Sequence, residues 1–111
     1  MPFCGLQTNV KIEKKEDFAK SLSAMIAKEL SKPEAYVMVA VEERNMVFAG
    51  NTEPCAFVDL RSIGLSDSQT PGLSKAICDF LERNLKIDPS RVYVNFTNVV
   101  GKMWGWNSST F

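Results

Sequence analysis

The sequence has no histidine. That removes serine–histidine and cysteine–histidine nucleophile chemistry within the chain, and histidine metal sites with it. Its three cysteines, Cys4, Cys55 and Cys78, are odd in number and show no paired spacing. They argue against a disulfide framework and a zinc centre, and buried thiols in a reducing cytosol are the expected account. There is no net charge, 13 Lys and Arg standing against 13 Asp and Glu. Nothing therefore draws the chain to nucleic acid or to an anionic membrane surface. No apolar run approaches the ~20 residues of a membrane helix, and no basic leader precedes a long apolar stretch. The expectations are no nucleic acid, no membrane and a cytoplasmic location. If the chain is an enzyme, its base is a carboxylate, a lysine, a tyrosine or the N-terminal amine.

What is present is enough for a core. Hydrophobic residues make up 45% of the chain and charged residues 23%, close to ordinary globular usage. At 111 residues the expectation is one domain, spanning residues 1–111. The only tight basic pair, Lys14-Lys15, is enclosed by Glu13, Glu16 and Asp17 and reads as a solvated helix start.

Pro2 to Thr8 reads as a short strand. Phe18, Leu22, Met25, Ile26 and Leu30 recur at helical spacing, which predicts an amphipathic helix over Glu16 to Ser31. Lys32-Pro33 ends it. The continuous apolar run Tyr36 to Val41 predicts a strand covered on both faces, followed by a turn at Glu42 to Asn45 and a short strand at Met46 to Ala49. Ala56 to Leu60 is strand-like. Pro71 suits the first turn of a second helix, whose stripe is Leu73, Ile77, Phe80, Leu81 and Leu85 and which Asp88-Pro89 stops. Val92, Val94 and Phe96 alternate with Tyr93 and Asn95, the period of a strand. The second stripe equals the first shifted by 55 residues, and Pro33 shifted by 56 falls on Pro89. Two strand–helix–strand units in tandem follow. Each should be a right-handed crossover joining parallel strands. The fold class is α+β, a four-stranded mixed sheet with both helices on one face. The other face is expected to be apolar and uncovered, the mark of an oligomer interface.

The chain opens Met1-Pro2 and runs at once into Phe3-Cys4-Gly5-Leu6. If Met1 is removed, Pro2 presents a secondary amine on a fixed ring. A free α-amino group titrates near ~8, and burial among apolar side chains lowers that value toward what a general base needs. On these residues alone, a stiff start to an edge strand is the plainer account.

Further residues carry a resemblance. Pro2 after Met1, the two tandem units, Asn51-Thr52-Glu53-Pro54-Cys55-Ala56, Arg61-Ser62-Ile63-Gly64, Arg91-Val92-Tyr93-Val94-Asn95 and the closing Gly105-Trp106-Asn107-Ser108-Ser109-Thr110-Phe111 together resemble the macrophage migration inhibitory factor family. The likeness runs from Pro2 to Phe111. It implies a homotrimer whose sheets surround a central channel, with a keto–enol tautomerase site at each subunit interface and no cofactor or metal. Pro2 would be the catalytic base. Lys32 would hold a substrate carboxylate or stabilise enolate charge, and the Ile63 backbone N–H would add a donor. Tyr93 and Asn95 match residues contributed by the neighbouring subunit, and Tyr36, Trp106 and Phe111 match aromatic wall positions. The implied substrate is a small aromatic keto acid such as phenylpyruvate, or a dopachrome-like compound. The resemblance also leaves open a cytokine-like role through a cell-surface receptor, with secretion that needs no signal peptide.

Without the resemblance, Lys32 reads as a helix-end lysine near the dipole. Tyr93 and Asn95 then read as a solvated strand face, and Trp106 and Phe111 as a packed C-terminus. Arg61 and Arg91 are expected in surface or interface ion pairs, and Asp59 in a structural pair. The sequence also departs from the family pattern. Cys55-Ala56-Phe57-Val58 keeps only the first cysteine of a Cys-x-x-Cys pair, and Trp104 stands where an aliphatic pocket residue is expected. The loop Leu65 to Thr70 differs in composition too. The extra arginines and carboxylate of hydrating or dehalogenating relatives are not evident.

Overall fold

The two apolar stripes become two 16-residue helices, α1 (Lys15–Leu30) and α2 (Thr70–Leu85), in a computed structural model that describes residues 1–111. They alternate with the strands β1 (Phe3–Thr8), β2 (Met38–Glu43), β3 (Ala56–Ile63) and β4 (Val92–Val99). A small hairpin, β5 (Gly105–Trp106) and β6 (Ser109–Thr110), closes the chain. The four long strands form one mixed sheet in the order β2-β1-β3-β4. β1 runs parallel to β2 and β3 parallel to β4, while β1 and β3 meet antiparallel with Cys4 opposite Leu60. The expected α+β architecture is thus present.

Alternation along the strands sorts the two faces. Cys4 and Leu6 of β1 join Ala56, Val58 and Leu60 of β3 in a buried cluster with Leu22, Ile26, Ile77, Phe80 and Leu81 of the helices. Phe18 of α1 and Phe80 of α2 bring their rings to 5.4 Å across the top of that core. Val39 and Val41 of β2 and Val92, Val94 and Phe96 of β4 pack against its margins. Neither helix is long and apolar enough to cross a membrane.

The opposite face is uncovered, as expected, but it is not apolar. Phe3, Met38, Phe57 and Tyr93 share it with Gln7, Glu42, Asp59, Arg61, Asn95 and Thr97, which the strand registers bring to the same side. The Arg61 guanidinium bonds Asp59 at 2.8 Å and lies 5.9 Å from the centre of the Phe3 ring. The expected surface pair at Arg61 and the structural role of Asp59 are therefore found.

Several boundaries move. Ser31 is not helical but caps α1 in the left-handed region at φ 53°, and Lys86 caps α2 the same way at φ 59°. Tyr36 closes a short 3-10 turn, Glu34–Tyr36, instead of opening a strand. β2 starts at Met38 and extends through Glu42 and Glu43, because these residues pair with Gln7 and Thr8 of β1. It is an edge strand with one face on the core, so its apolar run did not signal cover on both sides. Met46 to Ala49 is not a strand. Ala49 and Gly50 both take positive φ and turn the chain back, leaving one bridge between Phe48 and Asn51.

Candidate active site

The site grows from the first residue of the sheet. Pro2 is fully buried, and its carbonyl accepts the Met38 N–H at 3.0 Å, which ties the start of the chain to β2. Met1 extends beyond it to the rim of a cleft of about 220 Å³. Burial first, and then the nearby Lys32 charge, lower the Met1 α-amino group below its ordinary value. Amine charge is thus disfavoured at this end of β1, for the two reasons that favour a neutral base.

Lys32 reaches the cleft because of the cap that precedes it. Left-handed Ser31 reverses the chain, and the Lys32 N–H donates back to Ala27 at 3.0 Å. The half-buried Lys32 side chain then runs to the end of β3, where Nζ donates to the Ile63 carbonyl at 3.4 Å. This bond lies at the long limit for N–H···O and is readily exchanged for a better acceptor. Lys32 is therefore directed across the sheet end rather than held at the terminus of its own helix. Ile63 takes part through its carbonyl.

The walls come from the turn before β2 and from the C-terminal hairpin. Asn107 and Ser108, both at positive φ, form the two-residue turn that joins β5 to β6. The Phe111 N–H donates to the Trp104 carbonyl at 3.2 Å, so the chain returns on itself. Trp106 stacks on Phe111 with centroids 5.5 Å apart and meets the Tyr36 ring edge-on at 5.6 Å. Trp104 and Gly105 complete the cleft beside Ala35, Val37 and Met38. A second depression of about 290 Å³ lies behind Trp104, lined by Phe3, Arg61, Val99 and Met103. Trp104 and Gly105 line both hollows.

Tyr36, Trp104, Trp106 and Phe111 are assembled at one cleft with Met1, and Lys32 and Ile63 border the same chain end. Tyr93 and Asn95 are not. Tyr93 is level with Phe57 of β3 and Gln7 of β1, five residues along β1 from Pro2. Its ring packs at 4.7 Å on Phe48, while Asn95 donates to Thr97 at 3.3 Å. Within one chain Tyr93 lies toward the far end of the sheet and Asn95 at its middle, level with Asp59 and Gly5. Ala35, Val37 and Met38 were missed as cleft residues. The signal was available, because a parallel strand beside β1 places its first residues next to Pro2.

Arg91 corrects another expectation. It makes no ion pair. Its guanidinium donates to the carbonyls of Phe48 (3.1 Å), Asn51 (3.4 Å), Glu53 (3.1 Å) and Pro54 (2.9 Å). From the other side, Asn9 donates to Thr52 and Glu53 and accepts from the Cys55 N–H. The segment between β2 and β3 is thereby held by its own backbone oxygens. The Cys4 thiol is pushed up to about 12, by burial and then by the Asp59 charge, so it is not a nucleophile near neutral pH.

This sheet, with its paired crossovers and an aromatic cleft at the head of β1, defines an α+β protein built from two tandem strand–helix–strand units. The family model for macrophage migration inhibitory factor matches residues 1–111, and the chain belongs to that family. It is 39% identical to the macrophage migration inhibitory factor homolog of Trichinella spiralis, with all of both chains covered. To macrophage migration inhibitory factor of Rattus norvegicus it is 37% identical, with all of this chain and 99% of the other covered. The crystal structure of the homologue from Prochlorococcus marinus superposes with a TM-score of 0.91 at 38% identity, over 98% of each chain.

Proposed function

We propose that the protein is a keto–enol tautomerase acting on aryl α-keto acids such as phenylpyruvate, with Pro2 as general base once Met1 is removed. One observation carries this reading: a four-aromatic cleft opens at the buried first residues of β1, where charge on an amine is disfavoured and a lysine stands alongside. Uncharged Pro2 nitrogen takes a proton from the carbon next to the keto group. Electron density moves to the keto oxygen, and the proton is returned there to give the enol. Lys32 pairs with the carboxylate or with the developing oxyanion, and the Ile63 N–H is a second donor. Fixed donors aimed at an oxyanion are commonly the largest catalytic contribution, on the order of 3 kcal/mol each. The walls Tyr36, Trp104, Trp106 and Phe111 select a flat aromatic group and exclude water.

In this reading the unit is a homotrimer. Tyr93 and Asn95, which face solvent on the uncovered side of each sheet, complete the cleft of the next subunit. Tyr93 is 64% exposed in the single chain, which leaves it free to do so.

The test compares the same protein with Met1 removed and with Met1 retained. With Met1 attached, Pro2 nitrogen is an amide and has no basicity. Phenylpyruvate tautomerisation should then fall by about 100-fold or more. Equal rates from the two samples would end the proposal.

The relatives' names, which speak of inhibiting macrophage migration, support a second reading, a cytokine-like protein, for which we infer a cell-surface receptor as partner. Its distinguishing result is receptor binding that survives Pro2→Gly.

A further inference from the structure

The exposed Tyr93 ring is held from behind. Phe48 lies against it with ring centroids 4.7 Å apart and planes inclined by 37°. Phe48 is itself pinned twice by Arg91, whose guanidinium sits 5.2 Å from the ring centre and donates to the Phe48 carbonyl at 3.1 Å. The remaining Arg91 donors go to Asn51, Glu53 and Pro54, so the clamp is anchored in the whole segment. Phe48 and Tyr93 themselves help to line an apolar hollow of about 430 Å³, together with Met46, Val47, Ala49 and Phe57. A tyrosine beside such a hollow and lacking the stack could rotate into it.

We propose that Phe48 is a positioning residue for the reaction, its Arg91-fixed ring keeping Tyr93 turned outward toward the neighbouring subunit's cleft. This rests on the reading that Tyr93 completes that cleft. The physical reason is preorganisation: an aromatic side chain already fixed in its bound orientation loses less freedom when substrate arrives. Phe48 touches neither substrate nor base in this account. It acts on substrate binding and leaves the proton transfer alone.

The test is Phe48→Leu with Phe48→Tyr as the conservative control, both in the assembled protein. Tyr36 and Tyr93 are the only two tyrosines, so ring-labelled tyrosine resolves Tyr93 directly by NMR. In Phe48→Leu the Tyr93 ring signals should lose their ring-current shift. The KM for phenylpyruvate should rise about fivefold, the size of one aromatic contact, with kcat within about twofold. The pH profile of kcat/KM should not move. Phe48→Tyr should restore both the shift and the KM. Phe48→Leu in a Tyr93→Leu background should add nothing further to KM. Unmoved Tyr93 signals, or unmoved KM in an active enzyme, overturn the inference alone. An inactive wild type overturns the reading of function, and this role with it.

Discussion

The two halves of the molecule share a backbone plan and divide the work. Ser31 and Lys86, 55 residues apart, both end their helices in the left-handed region. The next residue is Lys32 in one half and Ile87 in the other. Lys32 is half-buried and runs to the end of β3, whereas Ile87 is 0% exposed and belongs to the core. The following 3-10 turns, Glu34–Tyr36 and Pro89–Arg91, end on a wall residue of the cleft and on the guanidinium that clamps Phe48. Even the residues entering the central strands differ. Pro2 is tied through its carbonyl to the Met38 N–H of β2, while Cys55 is bonded through its N–H to the Asn9 side chain. Equivalent positions therefore border the cleft in the first unit and fasten the fold in the second.

The largest expected effect tests that division at the first strand. Pro2→Gly should lower kcat/KM for phenylpyruvate by ~10²–10⁴, the usual worth of a general base. Its melting temperature should stay within a few degrees by circular dichroism; a comparable rate from Pro2→Gly would erase the asymmetry. The cap pair comes next. Ile87→Ala should cost ~2–5 kcal/mol in urea denaturation, as for a buried aliphatic residue, and leave kcat unchanged. Lys32→Gln should do the reverse, losing about 10- to 100-fold in kcat/KM as one charged hydrogen bond disappears, with little change in stability. Should Lys32→Gln unfold the protein while Ile87→Ala lost only activity, the assignment of roles would be inverted.

A pH profile sharpens the same contrast. Burial and the Lys32 charge lower the Met1 α-amino group at this site. The same surroundings act on the Pro2 amine once Met1 is removed, so its neutral, active form should persist below the ordinary α-amino range and fade only as pH falls through the lowered value, about tenfold per unit beyond it. In Lys32→Gln the acidic limb should move toward higher pH, since one of the two causes is gone. The smallest effect is shared by both halves. Ser31→Gly and Lys86→Gly should each stabilise by about 1 kcal/mol in thermal melts, because glycine takes left-handed φ without strain. A gain at one cap alone would show that the two turns are not equivalent.

The architecture was legible because it is written twice in period and offset: the stripe at Phe18 and Leu22 returns at Leu73 and Ile77, and Pro33 returns at Pro89. Trp106 and Phe111 were legible only through the family motif Gly105 to Phe111, since nothing in their spacing announces a positive-φ turn at Asn107 and Ser108. Arg91 was misjudged because its partners are carbonyls, which every residue has, and they converge only after the segment from Phe48 to Pro54 has folded. The polar character of the uncovered face was hidden for a related reason. Asp59, Arg61, Asn95 and Gln7 come from three strands, and only the register of the finished sheet sets them side by side.

The antiparallel meeting of β1 with β3 has a consequence for how such a chain can be taken apart. A protease nick between Glu43 and Cys55 would cut the covalent link between the halves and leave their long seam of backbone bonds intact. The two pieces should stay together under native conditions, and, expressed separately, should find each other again along that seam.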